Sequence, residues 1–448
     1  MQMKELFPKA NTSDGWLDAL DPLFNKIAHG VGAGMKAEFG TSSFVEADGW
    51  FSLETGPWMG TFDSGSGVDA TSVALASSAG TNGGAGVAEN GADGGCLNGF
   101  KIPSEEEAFT RAQAVFASLT DAEPNATWIY QGYPWFRVYS QGNACNQTAL
   151  RAFIKGFTRA IPKNRLLVLD LIADRPGGQS ALWSYPDDPE LGKFTQNASL
   201  IWCALNNWGG AVNMGGDLTF VLNQTREAMA TPEVQGVGLT PEGIDNSPAY
   251  FSLVLDAPWT SQPTAESWYQ EWGASRCGAS GVKAAEQAYE LLFQTVYKPD
   301  QPYLFCCSKP DWCPTTLPGG TPASATRTTE PARPYYNTTL LRRALELMVE
   351  AAPSCDTASF KYDLVDVARQ WLSMAPCLDA YDKVDARAGR DKDQLIQQTA
   401  ALMSVMSDID TMMMTDPGFL LGSWLQKSRN VSSWDGSNGR SNKQTTPL

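Results

Sequence analysis

Short apolar runs that recur along the first half of the chain limit its fold more than any other feature. Their starts are about 35 to 40 residues apart, and the runs lie at residues 126–132, 165–174, 199–207 and 234–243. The segments between them are compatible with helices, as in CNQTALRAFIKGFTRAIP, where apolar residues recur at helical spacing. Continuous apolar strands that alternate with helices predict βα units and a parallel sheet.

An earlier unit fits the same pattern. The helix-like segment LDPLFNKIAHGVGAGMKAEFG is followed by SSFVEAD at residues 42–48, which brings the strand count to five. A barrel needs eight strands, so either three are unrecognised or the front of the barrel is absent. Every run ends in polar or aromatic residues, and in a parallel barrel that end of the strands carries the active site. A doubly wound sheet would also bind ligands there, but the sequence has no GxGxxG motif or P-loop.

The second half of the chain has a different pattern. Strand signals stop near Trp259, and amphipathic helices such as VKAAEQAYELLFQTVYK follow. We therefore predict an α/β fold, a partial (β/α) TIM-type barrel over residues 1–260, then an all-α C-terminal domain over 261–430 and a disordered tail over 431–448. A Gly/Ala/Ser-rich stretch at about 56–101 predicts a flexible insertion on a barrel loop.

Composition excludes several classes of function. The net charge of −16 and pI of about 4.6 argue against DNA, RNA or an anionic membrane surface as a partner. No run of about 18 apolar residues exists, so no membrane insertion is predicted. The single histidine, His29, argues against a Ser/His triad and against a His-ligated metal centre, and it is interpreted as structural. No metal site is therefore predicted, and carboxylates are the expected catalytic groups.

Cysteines and asparagines indicate the compartment. No pair of the nine cysteines has CxxC spacing, and the odd number leaves at least one thiol unpaired. Seven N-x-S/T sequons favour the secretory route, with a lysosomal, vacuolar or extracellular destination. The first residues lack the apolar region of a signal peptide, so we expect the true N-terminus to be missing from this sequence.

Several motifs match a known family in order and spacing. They are LDPLFNKI, FVEADGWF, ATWIYQGYPWF, RLLVLDLIAD, SLIWCALNNWGG, GVGLTPEGI, FKYDLVDVARQ and DPGFLLGSWL. Together they resemble α-N-acetylglucosaminidase, glycoside hydrolase family 89. The resemblance implies an eight-stranded barrel after a small N-terminal domain, and a helical C-terminal domain. It also implies removal of terminal α-linked N-acetylglucosamine with retention and without a cofactor, in animals from heparan sulfate in lysosomes. Against that pattern the chain is expected to begin within the barrel and to end before the last helices.

The resemblance assigns roles to carboxylates. Retaining hydrolysis uses two carboxyl groups about 5 Å apart. Glu242 in TPEG matches the position of the family's nucleophile, although a glutamate at a strand end is by itself also compatible with a solvated loop residue. The family's acid/base glutamate aligns with Glu54 if two residues are inserted. Glu46 and Asp48 are the alternatives, and an altered motif with no acid/base stays open.

Other residues near strand ends are candidates for binding the sugar. Aromatic rings can stack on a sugar face, and amide or carboxylate groups can hydrogen-bond to its hydroxyl or acetamido groups. The predicted substrate-binding residues are Asp48, Tyr133, Trp135, Trp202, Asn206 and Asn207. Core packing is the competing interpretation for Trp202, and Asp170 and Asp174 are also compatible with holding the strand ends by hydrogen bonds.

Two functions follow from these observations. The first is a retaining exo-glycosidase that hydrolyses terminal α-linked N-acetylglucosamine from glycans such as heparan-sulfate-like glycosaminoglycans. The second is a truncated, catalytically impaired or inactive relative that only binds carbohydrate. In both, a glycan is the partner.

Overall fold

The computed structural model describes twelve stretches of the chain, which form two compact units. The stretches are residues 12–13, 16–46, 104–132, 144–174, 198–206, 214–241, 247–297, 334, 336–387, 391–420, 422 and 426. The first unit comprises Met1–Ala204 and Glu227–Thr240, and the second comprises Leu205–Arg226 and Pro241–Leu448.

A five-stranded parallel sheet is the centre of the first unit. A short antiparallel pair, β1 (Thr12–Ser13) and β2 (Trp16–Leu17), precedes it. The five strands are β3 (Phe44–Glu46), β4 (Thr127–Gln131), β5 (Leu166–Asp170), β6 (Ser199–Ala204) and β7 (Val234–Leu239). Their order in the sheet follows the chain, β3-β4-β5-β6-β7, as in a barrel, whereas a doubly wound sheet reverses its strand order. Each predicted apolar run contains one of these strands.

Helices connect the strands. They are α1 (Pro22–Phe39), α2 (Glu105–Leu119), α3 (Ala144–Ala160) and α4 (Leu218–Met229). Helix α1 begins where the Asp21 side chain accepts a hydrogen bond from the Leu23 amide. Helix α2 begins with a capping box, in which Ser104 and Glu107 satisfy each other's backbone amides. Such caps supply partners for amides that a helix leaves unbonded at its first turn.

The two faces of the sheet differ. Trp128 and Tyr130 project from one face of β4, and the ring of Phe157 in α3 lies 5.2 Å and 4.7 Å from theirs, so this face is covered by helix. Paired residues of parallel strands share a face, and neighbours in one strand alternate. Val168 pairs with Tyr130 on one side and with Leu200 on the other, so Val168 and Leu200 belong to the same helix-covered face as Tyr130.

The second unit is helical. After the end of α4 its described residues form α5 (Pro248–Asp256), α6 (Ala265–Cys277), α7 (Lys283–Gln294), α8 (Thr338–Ala351), α9 (Ala358–Leu372), α10 (Leu378–Arg387) and α11 (Lys392–Met413). A π-helical turn at Ser373–Cys377, which contains Pro376, joins α9 to α10. The fold class predicted from the sequence, a partial TIM-type barrel followed by an all-α domain, is thus confirmed.

A buried polar network and a disulfide connect the helices of this unit. Asp363 in α9 accepts hydrogen bonds from Arg276 of α6 at 2.5 Å and 2.8 Å and from the Tyr289 hydroxyl of α7 at 2.8 Å. Cys277, which follows Arg276 at the end of α6, forms a disulfide bond with Cys355. Burial of the Asp363 carboxylate is offset by these three donors, since a buried charge without partners is costly.

Some predictions fall on residues that the structure does not describe. These are the Gly/Ala/Ser-rich insertion at about 56–101 and the tail at 431–448. The domain boundaries predicted at residues 260 and 430 stay predictions.

Candidate active site

Polar side chains lie at the carboxyl ends of neighbouring strands. Glu46 is the last residue of β3 and Gln131 the last of β4, and Gln131 Nε2 donates a hydrogen bond to Glu46 Oε1 at 3.0 Å. Because the strands are parallel, their carboxyl ends meet at one edge of the sheet. Glu46, an alternative acid/base residue, is exposed and therefore accessible to a ligand at this edge.

Register decides which strand-end residues face away from the helices. Gln131 pairs with Leu169, and Leu169 pairs with Ile201. Glu46 pairs with Ile129, two residues before Gln131, so Glu46 and Gln131 share the face opposite to Trp128 and Tyr130. In a (β/α) barrel the helices cover the outside, so this face corresponds to the barrel interior.

Trp202 lies on the other face. It pairs with Asp170 in β5 and Val237 in β7, in register with the helix-covered positions, and none of its surface is exposed. Its indole N–H has no hydrogen-bond partner within the described part of the chain. Complete burial agrees with the core-packing interpretation, and a substrate-binding role for Trp202 stays a prediction.

Cys203 is a buried free thiol that faces the barrel interior side of β6. Burial raises the pKa of the Cys203 thiol well above its usual range, and the carboxylates of Asp170 and Asp174 raise it further. A thiol in this state carries almost no thiolate, which is the nucleophilic form. Cys203 is therefore unsuited to covalent catalysis. Asp170 and Asp174 are themselves buried at the end of β5 and in the turn after it.

The end of β7 is anchored by a threonine. The Thr240 hydroxyl donates to the carbonyl of Leu171 at 2.6 Å, and its amide donates to the carbonyl of Ala204 at 2.9 Å. Thr240 precedes Glu242 by two residues in the chain. The backbone that leads into Glu242 is thus held against the turn after β5 and the end of β6.

Asn206 follows β6 by two residues and is buried in the second unit. It has a left-handed backbone conformation with φ of 63°, which asparagine tolerates better than most residues. Gly216, with φ of 118°, lies against it, because a Cβ atom on Gly216 would be 3.2 Å from Asn206 Oδ1 and would overlap the Tyr250 ring. Only glycine fits between these two side chains at that backbone angle.

Most of the predicted site residues lie outside the described part of the chain. They are Glu242, Glu54, Asp48, Tyr133, Trp135 and Asn207. Their assignments stay predictions. His29, interpreted as structural, is exposed in α1 and pairs with Asp121.

Sequence reasoning missed two residues of this region, Ser247 and Gln370. Both are fully buried, and both bind the backbone of residues 214–215. Ser247 precedes Pro248, a dipeptide typical of a helix start, so its cap position could have been found. Gln370 has no such signal, since its partner is 156 positions away.

Within the described ranges, no group of three or more His, Cys, Asp and Glu side chains is arranged to hold a metal ion. None of the described helices has the length and apolar character required to cross a bilayer.

Two family models match consecutive parts of the chain. Residues 98–261 match the alpha-N-acetylglucosaminidase (NAGLU) tim-barrel domain, and residues 268–444 match the alpha-N-acetylglucosaminidase (NAGLU) C-terminal domain. The human alpha-N-acetylglucosaminidase is 28% identical over 349 residues, which is 74% of this chain and 42% of the human protein. The chain thus spans less than half the length of that relative.

Solved structures show the same fold. A family 89 glycoside hydrolase from Clostridium perfringens, in complex with 2-acetamido-1,2-dideoxynojirmycin, superposes with a TM-score of 0.56 at 20% identity. The match covers 72% of this chain and 33% of that one. A variant of the Clostridium perfringens enzyme with two glutamates replaced by glutamine, in complex with its substrate GlcNAc-alpha-1,4-galactose, superposes with a TM-score of 0.56 at 18% identity. This match covers 75% of this chain and 34% of that one.

Proposed function

Because the chain belongs to the α-N-acetylglucosaminidase family, we propose that it is a glycosidase that removes terminal α-linked N-acetylglucosamine from glycans. The observation that carries the proposal is the match of both family domains in sequence order, together with a parallel sheet that has polar side chains at its carboxyl edge. Glu242 follows the last strand of that sheet by three positions in the sequence. Hydrolysis proceeds with retention in this proposal, which requires two carboxyl groups.

Glu242 is the nucleophile. Its carboxylate attacks the anomeric carbon while Glu54, as general acid, protonates the departing glycosidic oxygen. The bond from carbon to that oxygen breaks, and a covalent glycosyl ester on Glu242 forms. Glu54 then takes a proton from water, which attacks the same carbon and releases the sugar and the Glu242 carboxylate. Glu46 and Asp48 are the alternative acid/base residues.

The remaining candidates bind the sugar. Tyr133 and Trp135 supply stacking surfaces, and Asp48, Asn206 and Asn207 supply hydrogen-bond partners for hydroxyl and acetamido groups. Trp202 is the weakest member of this set, since it lies on the helix-covered face of the sheet and not on the face that corresponds to the barrel interior.

The natural substrate is proposed to be a heparan-sulfate-like glycosaminoglycan in the secretory pathway or lysosome. The seven sequons support that compartment. The chain's net charge of −16 favours a neutral glycan instead, since like charges slow association. Parallel assays with a sulfated oligosaccharide and with the neutral GlcNAc-α-1,4-galactose separate the two.

The test is hydrolysis of an aryl α-N-acetylglucosaminide by the purified chain beside its Glu242→Gln and Glu54→Gln variants. We expect Glu242→Gln to abolish turnover, and Glu54→Gln to lower kcat/KM about 10²- to 10⁴-fold for a poor leaving group. A strongly acidic phenol as leaving group needs no protonation, so it restores formation of the glycosyl ester in Glu54→Gln alone. Glu350→Gln, an exposed carboxylate in α8, is the matched control.

The outcomes separate the mechanisms. Proton NMR of the first sugar released must show the α anomer, since the β anomer would contradict retention. If kcat/KM depends on the leaving group in the same way in Glu54→Gln and in the parent, Glu54 is not the acid/base residue. Glu46→Gln and Asp48→Asn are then tested in the same assay. A parent that binds N-acetylglucosamine but never hydrolyses a glycoside favours the second candidate function, a carbohydrate-binding relative.

A further inference from the structure

A short buried segment directly precedes α4 and packs against Asn206. Met214, Gly215 and Gly216 are all buried and precede the start of α4 at Leu218. Such a segment must find partners for its backbone N–H and C=O groups within the protein, since water cannot reach them. Two side chains from elsewhere in the second unit provide them.

Gln370 binds this segment from α9. Its Oε1 accepts a hydrogen bond from the Met214 amide at 2.7 Å, and its Nε2 donates to the Met214 carbonyl at 3.0 Å and to the Tyr336 hydroxyl at 2.8 Å. Both N–H groups of the Gln370 amide are therefore used. A glutamate could not replace Gln370, because a carboxylate has no N–H to donate to the Met214 carbonyl and the Tyr336 hydroxyl.

Ser247 binds the segment at the next residue. Its Oγ accepts from the Gly215 amide at 3.1 Å and donates to the Gly215 carbonyl at 3.4 Å. Ser247 has φ of 41°, a left-handed conformation that costs a non-glycine residue about 1–2 kcal/mol. The hydroxyl bonds to Gly215 help to offset this cost.

The far end of the segment touches a candidate substrate residue. Gly216 fits between Asn206 and Tyr250 with no room for a side chain. Displacement of the Met214–Gly216 backbone would therefore move the surface against which Asn206 packs, since close-packed interiors transmit such shifts.

We propose that Gln370 is a positioning residue of the sugar site: its amide, together with the Ser247 hydroxyl, holds the Met214–Gly216 backbone and thereby places Asn206 for the N-acetylglucosamine ring. This role rests on the proposed function. Gln370 touches the Met214 backbone and not the sugar, so its effect on binding passes through Asn206.

The experiment uses the full chain and the variants Gln370→Met, Ser247→Ala and Asn206→Ala. Methionine has nearly the shape of glutamine but makes none of its hydrogen bonds. Gln397→Met in α11 is the control, because Gln397 is exposed. Amide hydrogen exchange reports on the segment itself. Titration with 2-acetamido-1,2-dideoxynojirimycin gives a Kd for each single variant and for the Gln370→Met/Asn206→Ala double variant.

Exchange of the Met214 amide is expected to accelerate at least about tenfold in Gln370→Met, since it loses its acceptor. The Kd is expected to rise about tenfold in Gln370→Met and in Asn206→Ala, and the double variant to be little weaker than Asn206→Ala alone. Such non-additivity identifies two residues that act through one interaction, which a merely structural role would not produce. Ser247→Ala should accelerate exchange of the Gly215 amide.

Two results would overturn the role of Gln370. One is an unchanged exchange rate of the Met214 amide, and the other is an additive double variant. Neither result affects hydrolysis by the parent, so the proposed function would survive them. Conversely, a non-additive Kd cycle in a parent that binds the sugar but does not hydrolyse glycosides supports the positioning role and contradicts hydrolysis. If Gln370→Met does not fold, Ser247→Ala tests the anchoring of the segment, with exchange of the Gly215 amide as the readout and the same Kd cycle with Asn206→Ala.

Discussion

Asp366 and Arg369 form an ion pair one helical turn apart inside the second unit. Arg369 Nη2 and Nε donate to Asp366 Oδ1 at 2.6 Å and 3.1 Å, and both side chains are buried. Burial raises the pKa of the Asp366 carboxyl above its ordinary value of 3.8, and the positive charge of Arg369 opposes that rise. The folded state therefore holds a proton on Asp366 at a pH where the unfolded chain has lost it.

This shift predicts a pH dependence of stability. Above pH 3.8 the folded state binds more protons at Asp366 than the unfolded state, so the free energy of unfolding falls as pH rises through the raised pKa. Asp366→Asn removes this contribution. We expect urea unfolding between about pH 4 and about pH 7 to give a smaller decrease in unfolding free energy for Asp366→Asn than for the parent.

A surface aspartate provides a control of opposite sign. A hydrogen bond from Lys361, together with its charge, lowers the pKa of the exposed Asp356 carboxyl below 3.8. Its contribution to stability is present above that value and is lost as pH falls. Asp356→Asn should therefore show the same decrease in unfolding free energy toward pH 7 as the parent. If the unfolding free energy changes equally with pH in Asp366→Asn and in the parent, the raised pKa of Asp366 is contradicted.

Among the helices, α2 and α3 are in close contact at a glycine. A Cβ atom on Gly156 of α3 would overlap the carbonyl oxygen of Glu105 in α2 and lie 3.1 Å from Ala108 Cβ. Lys155 and Arg159 on the same helix form ion pairs with Glu105 at 3.1 Å and 3.2 Å. Helix α3 packs on the sheet through Phe157, so a change in its distance from α2 affects the core of the first unit.

Two glycine substitutions are expected to have opposite effects. Glycine inside a helix normally costs about 0.5–1 kcal/mol relative to alanine. Gly30 in α1 has no atom within 4 Å of an added Cβ, so Gly30→Ala should stabilise the protein by that amount. Gly156→Ala should instead destabilise it by about 1–3 kcal/mol, because the helices must separate.

Denaturant midpoints of the two variants and the parent test this pair. Each substitution adds the same methyl group to a helix interior, so helix propensity is matched and only packing differs. A midpoint for Gly156→Ala at or above that of Gly30→Ala would mean that α2 and α3 are not in this close contact.

At the scale of the whole molecule, the described sequons lie on the surface. Asn125, Asn223 and Asn337 are all exposed. Asn337 also caps α8, where its Oδ1 accepts from the amides of Thr339 and Leu340 at 2.9 Å and 3.2 Å. A glycan attaches to the side-chain nitrogen and leaves that oxygen available, so modification and capping are compatible.

We expect all three to be glycosylated when the chain is directed into a eukaryotic secretory pathway. Asn125→Gln, Asn223→Gln and Asn337→Asp should each lower the intact mass by one glycan, and aspartate should retain the cap of α8. Asn25→Gln, which is outside any sequon, should leave the glycan mass unchanged. A chain secreted with no mass shift on enzymatic deglycosylation would contradict both the exposed sequons and the proposed compartment.

The strands, the helices and the family can all be predicted from the order of the amino acids. Residues 127–131 and 166–170 form strands because apolar residues are continuous there, and α9 forms because its apolar residues recur at helical spacing. Such periodicities are local, since they depend on residues within one or two turns. The strand-end position of Gln131 follows from the same patterns, whereas the sequence left Trp202 between substrate binding and core packing.

The side chains that contact one another across the fold could not be predicted in this way. Gln131 binds Glu46 across 85 positions of sequence, and Gln370 binds Met214 across 156. No local pattern encodes these pairs, because they depend on strand register and on the direction in which a helix side chain projects. The sequence therefore predicts a parallel sheet with polar residues at the ends of its strands. The contacts that hold Asn206 and the strand-end carboxylate Glu46 arise only when distant segments pack together.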